Sequence, residues 1–248
     1  MDVLAVEGLV KDFRGFRAVD RVDLRVEAET VQALVGPNGA GKTTLFNLLS
    51  GFLRPTAGRI MFRGEDVTRL PPEARARRGM ARSFQITSLF EQLAVREHVM
   101  LAMQAATPLG YRFWQSKRAL DRFHEPAMAV LDRVGLRAVA THPVAILPYG
   151  QKRALEVALV LALDPPLLLL DEPTAGMGLE DVDRMIALIR AVRAGRTIVL
   201  VEHNMGVVSS LADRVTVLQR GKILAEGTYA DVRDDPGVVD AYLGQPHA

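Results

Sequence analysis

At 248 residues, 49% of them apolar, the chain can bury the core of one large α/β domain with a subdomain. Lys and Arg number 31 against 29 Asp and Glu, with no long basic tract or aromatic–basic alternation, so a general nucleic-acid surface is unsupported. Cysteine is absent, which removes thiolate zinc sites and thiol nucleophiles; no apolar run reaches about 18 residues and no basic-then-apolar leader opens the chain, so it is expected in the cytosol.

In chain order, residues 3–10, about 18–27 and 58–63 alternate as strands, with Arg63-Gly64 a tight turn, and predict a small antiparallel sheet. Between the first two, Lys11 to Arg17 reads as a turn carrying two rings, Phe13 and Phe16. Val31 to Val35 reads as a buried strand and leads into Gly36-Pro37-Asn38-Gly39-Ala40-Gly41-Lys42-Thr43-Thr44, after which Leu45, Phe46, Leu48 and Leu49 recur at helical spacing. From Leu70, where Pro71-Pro72 ends the strand pattern, about ninety residues read as almost entirely helical, with a helical subdomain starting near Gln85. The arginines at 75, 77, 78 and 82 read as a solvated helix face. Leu93, Val95, Val99, Leu101 and Met103 mark one helix; Ala127, Val130, Leu131 and Val134 mark another that stops at Gly135. Between them Tyr111, Phe113 and Trp114, beside Lys117, Arg118 and Arg122, form an amphipathic segment expected to pack against neighbouring helices. A helix after Gly150 carries Leu155, Val157, Ala158, Val160 and Leu161, and Asp164-Pro165-Pro166 ends it. Leu167–Leu170 and Thr197–Val201 read as fully buried parallel strands joined through the helix of Met185, Ile186, Leu188 and Ile189. Arg214–Leu218 and Lys222–Ala225 read as a closing hairpin about Arg220-Gly221, and a helical tail ends at Ala241-Tyr242-Leu243.

The stretch Gly36 to Thr44 has the form of a phosphate-binding loop, with the strand before it and the helix after it that the motif requires. Glycines 36, 39 and 41 let the loop curl so that successive N–H groups face phosphate oxygens, and the following helix adds its positive end. Lys42 supplies a mobile charge for the β- and γ-phosphates and the Thr43 hydroxyl is placed to hold Mg²⁺. Asp171-Glu172 put two carboxylates at the carboxyl end of a buried strand, where open α/β sheets bind ligands. The two have different work: Asp171 orients Mg²⁺ through water and Glu172 polarises the water that attacks the γ-phosphate. His203, just past the other buried strand, reaches the same edge and can hydrogen-bond the γ-phosphate or its attacking water. Gln85 would ligate Mg²⁺ and sense the γ-phosphate, and Phe13, with Phe16 second, would stack on a purine.

In this order the motifs resemble those of an ATP-binding cassette (ABC) ATPase over essentially the whole chain. Phe13 looks like the adenine-stacking aromatic, Gly36 to Thr44 the Walker A loop, Gln85 the Q-loop and Leu147-Pro148-Tyr149-Gly150-Gln151 the signature. Leu167 to Glu172 looks like the Walker B strand and His203 the switch histidine. The Tyr-Gly-Gln signature, the run Glu202-His203-Asn204-Met205 and the ending from Glu226-Gly227-Thr228 to Gly244 are similar to the ATPases of branched-chain amino-acid importers and their amide or urea relatives. The resemblance implies a P-loop NTPase core with an antiparallel β subdomain, at about 1–84 and 165–248, and a helical signature subdomain at about 85–164. It implies ATP and Mg²⁺ as ligands, with Gly36, Pro37, Asn38, Gly39, Ala40, Gly41, Lys42, Thr43 and Thr44 around the phosphates. It also implies head-to-tail pairing with a second cassette, a copy or a sister subunit, whose signature residues Gly150 and Gln151 complete the ATP site. Transmembrane permease subunits, indirectly a solute-binding protein, and a peripheral position on the cytoplasmic face of the inner membrane follow from the same resemblance, with the permease received in a groove at Ile86 to Glu91. Two residues depart from the pattern: Pro148 stands in place of a serine hydroxyl and Gly178 in place of a polar D-loop residue. A non-hydrolysing nucleotide-gated subunit, an exporter-type ATPase and a soluble ABC protein are the rival readings.

Overall fold

The computed structural model describes residues 2–83, 89–105, 107 and 121–243. The chain opens with a hairpin of β1 (Asp2–Phe13) and β2 (Phe16–Glu27); β3 (Val31–Val35) runs into α1 (Lys42–Ser50), and β4 (Ala57–Phe62) turns into β5 (Glu65–Asp66). After α2 (Pro72–Ala76) and β6 (Met80–Arg82) come α3 (Val95–Ala105), α4 (His124–Arg133) and α5 (Tyr149–Leu161). The remainder is β7 (Leu167–Asp171), α6 (Leu179–Val192), β8 (Thr197–Val201), α7 (Met205–Leu211), β9 (Arg214–Gln219), β10 (Lys222–Gly227), α8 (Tyr229–Arg233) and α9 (Pro236–Leu243). Two sheets result: an antiparallel one in the order β2-β1-β4-β5, and a six-stranded one in the order β10-β9-β3-β8-β7-β6, parallel except for β10.

The uniform apolarity of the central strands follows from their being covered on both faces. Successive side chains alternate: Leu168, Leu170, Ile198 and Leu200 join one cluster with the helices α3 to α6. Leu167, Leu169, Val199 and Val201 join a second with α1 and the antiparallel sheet. Each such leucine, fully withdrawn from water, stabilises the fold by about 1.5–3 kcal/mol. A third cluster sets Val232, Val238 and Ala33, Val35 and Val217 together, so the tail helices α8 and α9 cover β3 and β9.

Four expectations from the sequence need correction. The segment Lys11 to Arg17 is mostly strand, because β1 and β2 pair all the way to Phe13↔Phe16 and leave Arg14-Gly15 as a two-residue turn; both turn residues have positive φ, 44° and 91°, which matches the twist of the strands. The stretch after Leu70 is not all helical: Met80–Arg82 pairs in parallel with Leu167–Leu169. A three-residue strand has no measurable periodicity, and only the edge of β7 calls it into being. The arginines at 75 to 82 do not form one solvated face, since Arg75 is 1% exposed and the Arg82 side chain 11%. Arg75 donates to Leu48 O and Leu49 O at 2.7 and 2.6 Å, closing the carboxyl end of α1, and to Leu70 O and Thr68 O at 3.0 and 3.1 Å. Burial pushes its pKa down to about 10. Leu93 lies before α3 and Leu101 is exposed, so that helix begins later, and is narrower in its buried stripe, than the periodicity suggests. The amphipathic residues 111–118 and Gln85 lie outside the described residues.

Candidate functional site

The parallel strands end at one edge, and the residues that follow β3, β7 and β8 meet there. Gly36 (φ 146°) begins the loop after β3, and a Cβ on it would come within 2.2 Å of Leu218 O. Gly41 (φ 101°) caps α1, and a Cβ there would meet Ala18 O at 2.5 Å. These two glycines are thus demanded by the backbone packed behind the loop as well as by its curl. The loop is framed from that side: Gly221 N donates to Ala40 O at 2.9 Å and Asp20 N to Gly221 O at 2.8 Å. The loop leads to the amino end of α1, whose first-turn N–H groups have no acceptor within the helix. That arrangement suits a phosphate group.

Lys42, 9% exposed, folds back so that Nζ donates to Gly36 O at 2.6 Å and Pro37 O at 3.1 Å. Burial holds the ammonium below the usual lysine pKa, opposed by the negative charge of Glu172. Thr43 is exposed on the open side of the helix and Thr44 half-buried. The carboxylates diverge. Asp171 is 2% exposed, and its Oδ2 accepts from Arg82 Nη2 at 2.7 Å. Burial raises its pKa, opposed by Arg82 and reinforced by Glu172. Glu172 adopts φ 46°, donates its N–H to Val201 O at 2.9 Å, and turns its Oε1 to within 3.6 Å of His203 Nδ1.

Arg82 is a residue that motif reading passed over. It donates to Asn47 Oδ1 and Ser50 Oγ at 2.6 and 2.9 Å, and its guanidinium carbon sits 4.8 Å from the Phe46 ring centre. It therefore ties β6, the carboxyl half of α1 and Asp171 together. The only sequence signal was a lone arginine in an otherwise apolar triplet. Glu202 was likewise read only as part of a run, yet it is 1% exposed and accepts from Thr174 Oγ1 at 2.5 Å.

A metal ion fits one feature of this edge. Asp171 Oδ1 is buried and has no hydrogen-bond partner among the described residues, so one oxygen is fixed by Arg82 and the other is left for a ligand. No group of three or more His, Asp or Glu forms a cage among the described residues. This suits Mg²⁺, which is held by one or two protein oxygens plus waters and phosphates, better than a cation needing an all-protein shell.

Other expected site residues lie elsewhere. Phe13 is half exposed at the hairpin tip, with Lys11 Nζ 5.0 Å from its ring centre. Gly150 and Gln151, in the first turn of α5, border a separate groove of about 540 Å³ with Asp132, Asp181 and Arg184, which no phosphate-loop residue lines. That end of α5 is tied to the segment after Glu172, because Tyr149 Oη donates to Ala175 O at 3.0 Å. Pro148 and Gly178 are both helix N-caps, of α5 and α6, and neither offers a capping side chain. Gln85 is outside the described residues, as are 86–88 of the groove expected at Ile86 to Glu91.

Comparison with known proteins gives a consistent picture. Residues 19–175 match the ABC transporter family, and residues 222–248 the family described as branched-chain amino acid ATP-binding cassette transporter. The chain is 39% identical over 250 residues to BraF of Pseudomonas aeruginosa, a high-affinity branched-chain amino acid transport ATP-binding protein, with 98% of each chain covered. It is 38% identical over 255 residues to LivG of Escherichia coli K12, which carries the same description, again with 98% of each covered. Among solved structures it resembles the ADP conformation of an ATP-binding cassette of an ABC transporter, with TM-score 0.88 and 29% identity over 99% of this chain and 100% of that one. A nucleotide-free cassette gives TM-score 0.86 and 28% identity at the same coverage.

Proposed function

The chain belongs to the ABC transporter family of ATP-binding cassettes, and from that premise we propose that it is the ATP-hydrolysing subunit of an importer for branched-chain amino acids or a related small amino or amide solute. The observation that carries the catalytic reading is the meeting of Lys42, Asp171, Glu172 and His203 at one sheet edge, with Glu172 and His203 3.6 Å apart. ATP would lay its phosphates along Gly36 to Thr44, with Lys42 leaving the Gly36 and Pro37 carbonyls to follow the β- and γ-oxygens. Thr43, Gln85 and, through water, Asp171 would hold Mg²⁺. Bound there, the ion would offset charge on the phosphate oxygens. Glu172 accepts a hydrogen bond from the attacking water and His203 orients it, so the proton that water loses has an acceptor beside it. Phe13 would stack on the adenine.

Gly150 and Gln151 do not line the phosphate edge of their own chain, which supports their serving the ATP of a second cassette across a head-to-tail interface. No helix among the described residues is long and apolar enough to cross a membrane. Transmembrane permease subunits would therefore supply the path, with this subunit peripheral on the cytoplasmic side and a solute-binding protein reached only through them.

The test is steady-state phosphate release by the purified chain with Mg-ATP. Glu172→Gln and Lys42→Ala are each expected to lower it by about 100-fold or more, the scale of losing a general base or a phosphate clamp. ATP bound without phosphate release by the wild type, even with permease present, would favour the non-hydrolysing alternative, to which Pro148 and Gly178 point.

A further inference from the structure

Glu172 holds a left-handed backbone conformation, φ 46°, which costs a non-glycine residue of the order of 1–3 kcal/mol and persists only where its surroundings impose it. The imposing groups are on both sides. Before the bend, Glu172 N donates to Val201 O. After it, Thr174 is fastened to Glu202, whose Oε1 accepts from Thr174 N at 3.2 Å and Thr174 Oγ1 at 2.5 Å. The other oxygen of the same carboxylate accepts from His203 N at 3.2 Å and Asn204 N at 3.3 Å, and Asn204 in turn caps α7 through Gly206 N and Val207 N. Glu202 is 1% exposed, and among the described residues no lysine or arginine pairs with it. A carboxylate in such a place is tolerated only when its lone pairs are filled. They are filled here entirely by donors from the two loops that carry Glu172 and His203.

We infer that Glu202 and Thr174 are positioning residues for hydrolysis, a clasp that sets Glu172 and His203 opposite each other while touching no substrate itself. The inference rests on the catalytic reading of Glu172 and His203 above. Hydrolysis needs the two side chains placed together over the same water, and a shift of about 1 Å between such groups costs up to about 100-fold in rate. The clasp converts two independent loop ends into one unit, so that whatever moves the segment after Glu172 also moves the histidine.

The decisive variants are Thr174→Val, which keeps shape and removes the hydroxyl, Thr174→Ser, which keeps the hydroxyl, and Glu202→Gln, which turns one acceptor into a donor. In the full chain, Thr174→Val and Glu202→Gln are expected to lower kcat about 10- to 100-fold with KM and ATP binding within about twofold. Thr174→Ser is expected to recover most of the loss. The His203 ring resonance, assigned among the five histidines by its disappearance in His203→Ala, is expected to move in Thr174→Val and to return in Thr174→Ser. If Glu202→Gln fails to fold, the threonine pair decides. Turnover lost in Glu172→Gln but kept in Thr174→Val, with the His203 resonance unmoved, overturns the clasp and leaves the catalytic reading standing. Turnover unaffected in Glu172→Gln overturns both.

Discussion

Arginine and lysine side chains show how little a residue's type says about its place. Lys42 was identifiable from the spacing of the glycines around it, because the motif is local and its chemistry needs those residue types in that order. Arg75 was not, since its four carbonyl acceptors lie on two separated segments, Leu48–Leu49 and Thr68–Leu70, and a guanidinium so placed looks in sequence like any surface arginine. Its removal would take the guanidinium donors from Leu48 O and Leu49 O at the end of α1, the helix that begins at Lys42, leaving Leu48 O only the Gly51 N–H. Arg75→Met is therefore expected to cost about 3 kcal/mol, as for hydrogen bonds to a charged group, and to lower the melting temperature by roughly 6–12 °C in a chain of this size, read by thermal unfolding. Arg82 belongs with it: the partner that fixes one oxygen of Asp171 comes from 89 residues away.

Strands and helices with many residues of one period declared themselves; short or paired-in elements did not. The buried strands β3, β7 and β8 and the helix α1 fall where apolar runs and helical spacing put them, because burial on both faces leaves a continuous hydrophobic signature. β6 escaped because pairing to β7, not composition, makes it a strand. The tail is an intermediate case. Its α8 is announced by Thr228 and Asp231, which form a capping box with both hydrogen bonds present. What the tail does is visible only in the packing, where Val232 and Val238 cover Val35 immediately before the phosphate loop. Thr228→Ala is expected to cost about 1 kcal/mol, seen as faster amide exchange in α8 before any change in the central sheet.

For the whole molecule, the phosphate edge and the Gly150–Gln151 end of α5 face different surroundings, so on the head-to-tail pairing proposed above one chain would present half of each of two composite sites. An assembly that used both halves would bind two nucleotides and close around them. Glu172→Gln, which removes the proposed base while preserving shape, is expected to elute as a larger species with Mg-ATP, alone or with a sister cassette, and as the smaller one with ADP, measured by size exclusion with light scattering. A species that stays small with ATP in both mixtures would rule out closure around nucleotide. By itself the sequence determined the α/β class and singled out the glycine-rich loop, the two carboxylates and the histidine as candidates, because each stands out by its neighbours within a few residues. Only the tertiary structure decided that Asp171 is held by Arg82, that Glu172 is bent towards His203, and that Glu202 and Thr174 join their loops. Those contacts bridge chain separations of 28 to 89 residues, and such pairings arise when parallel strands bring distant carboxyl ends to one edge, which no local pattern encodes.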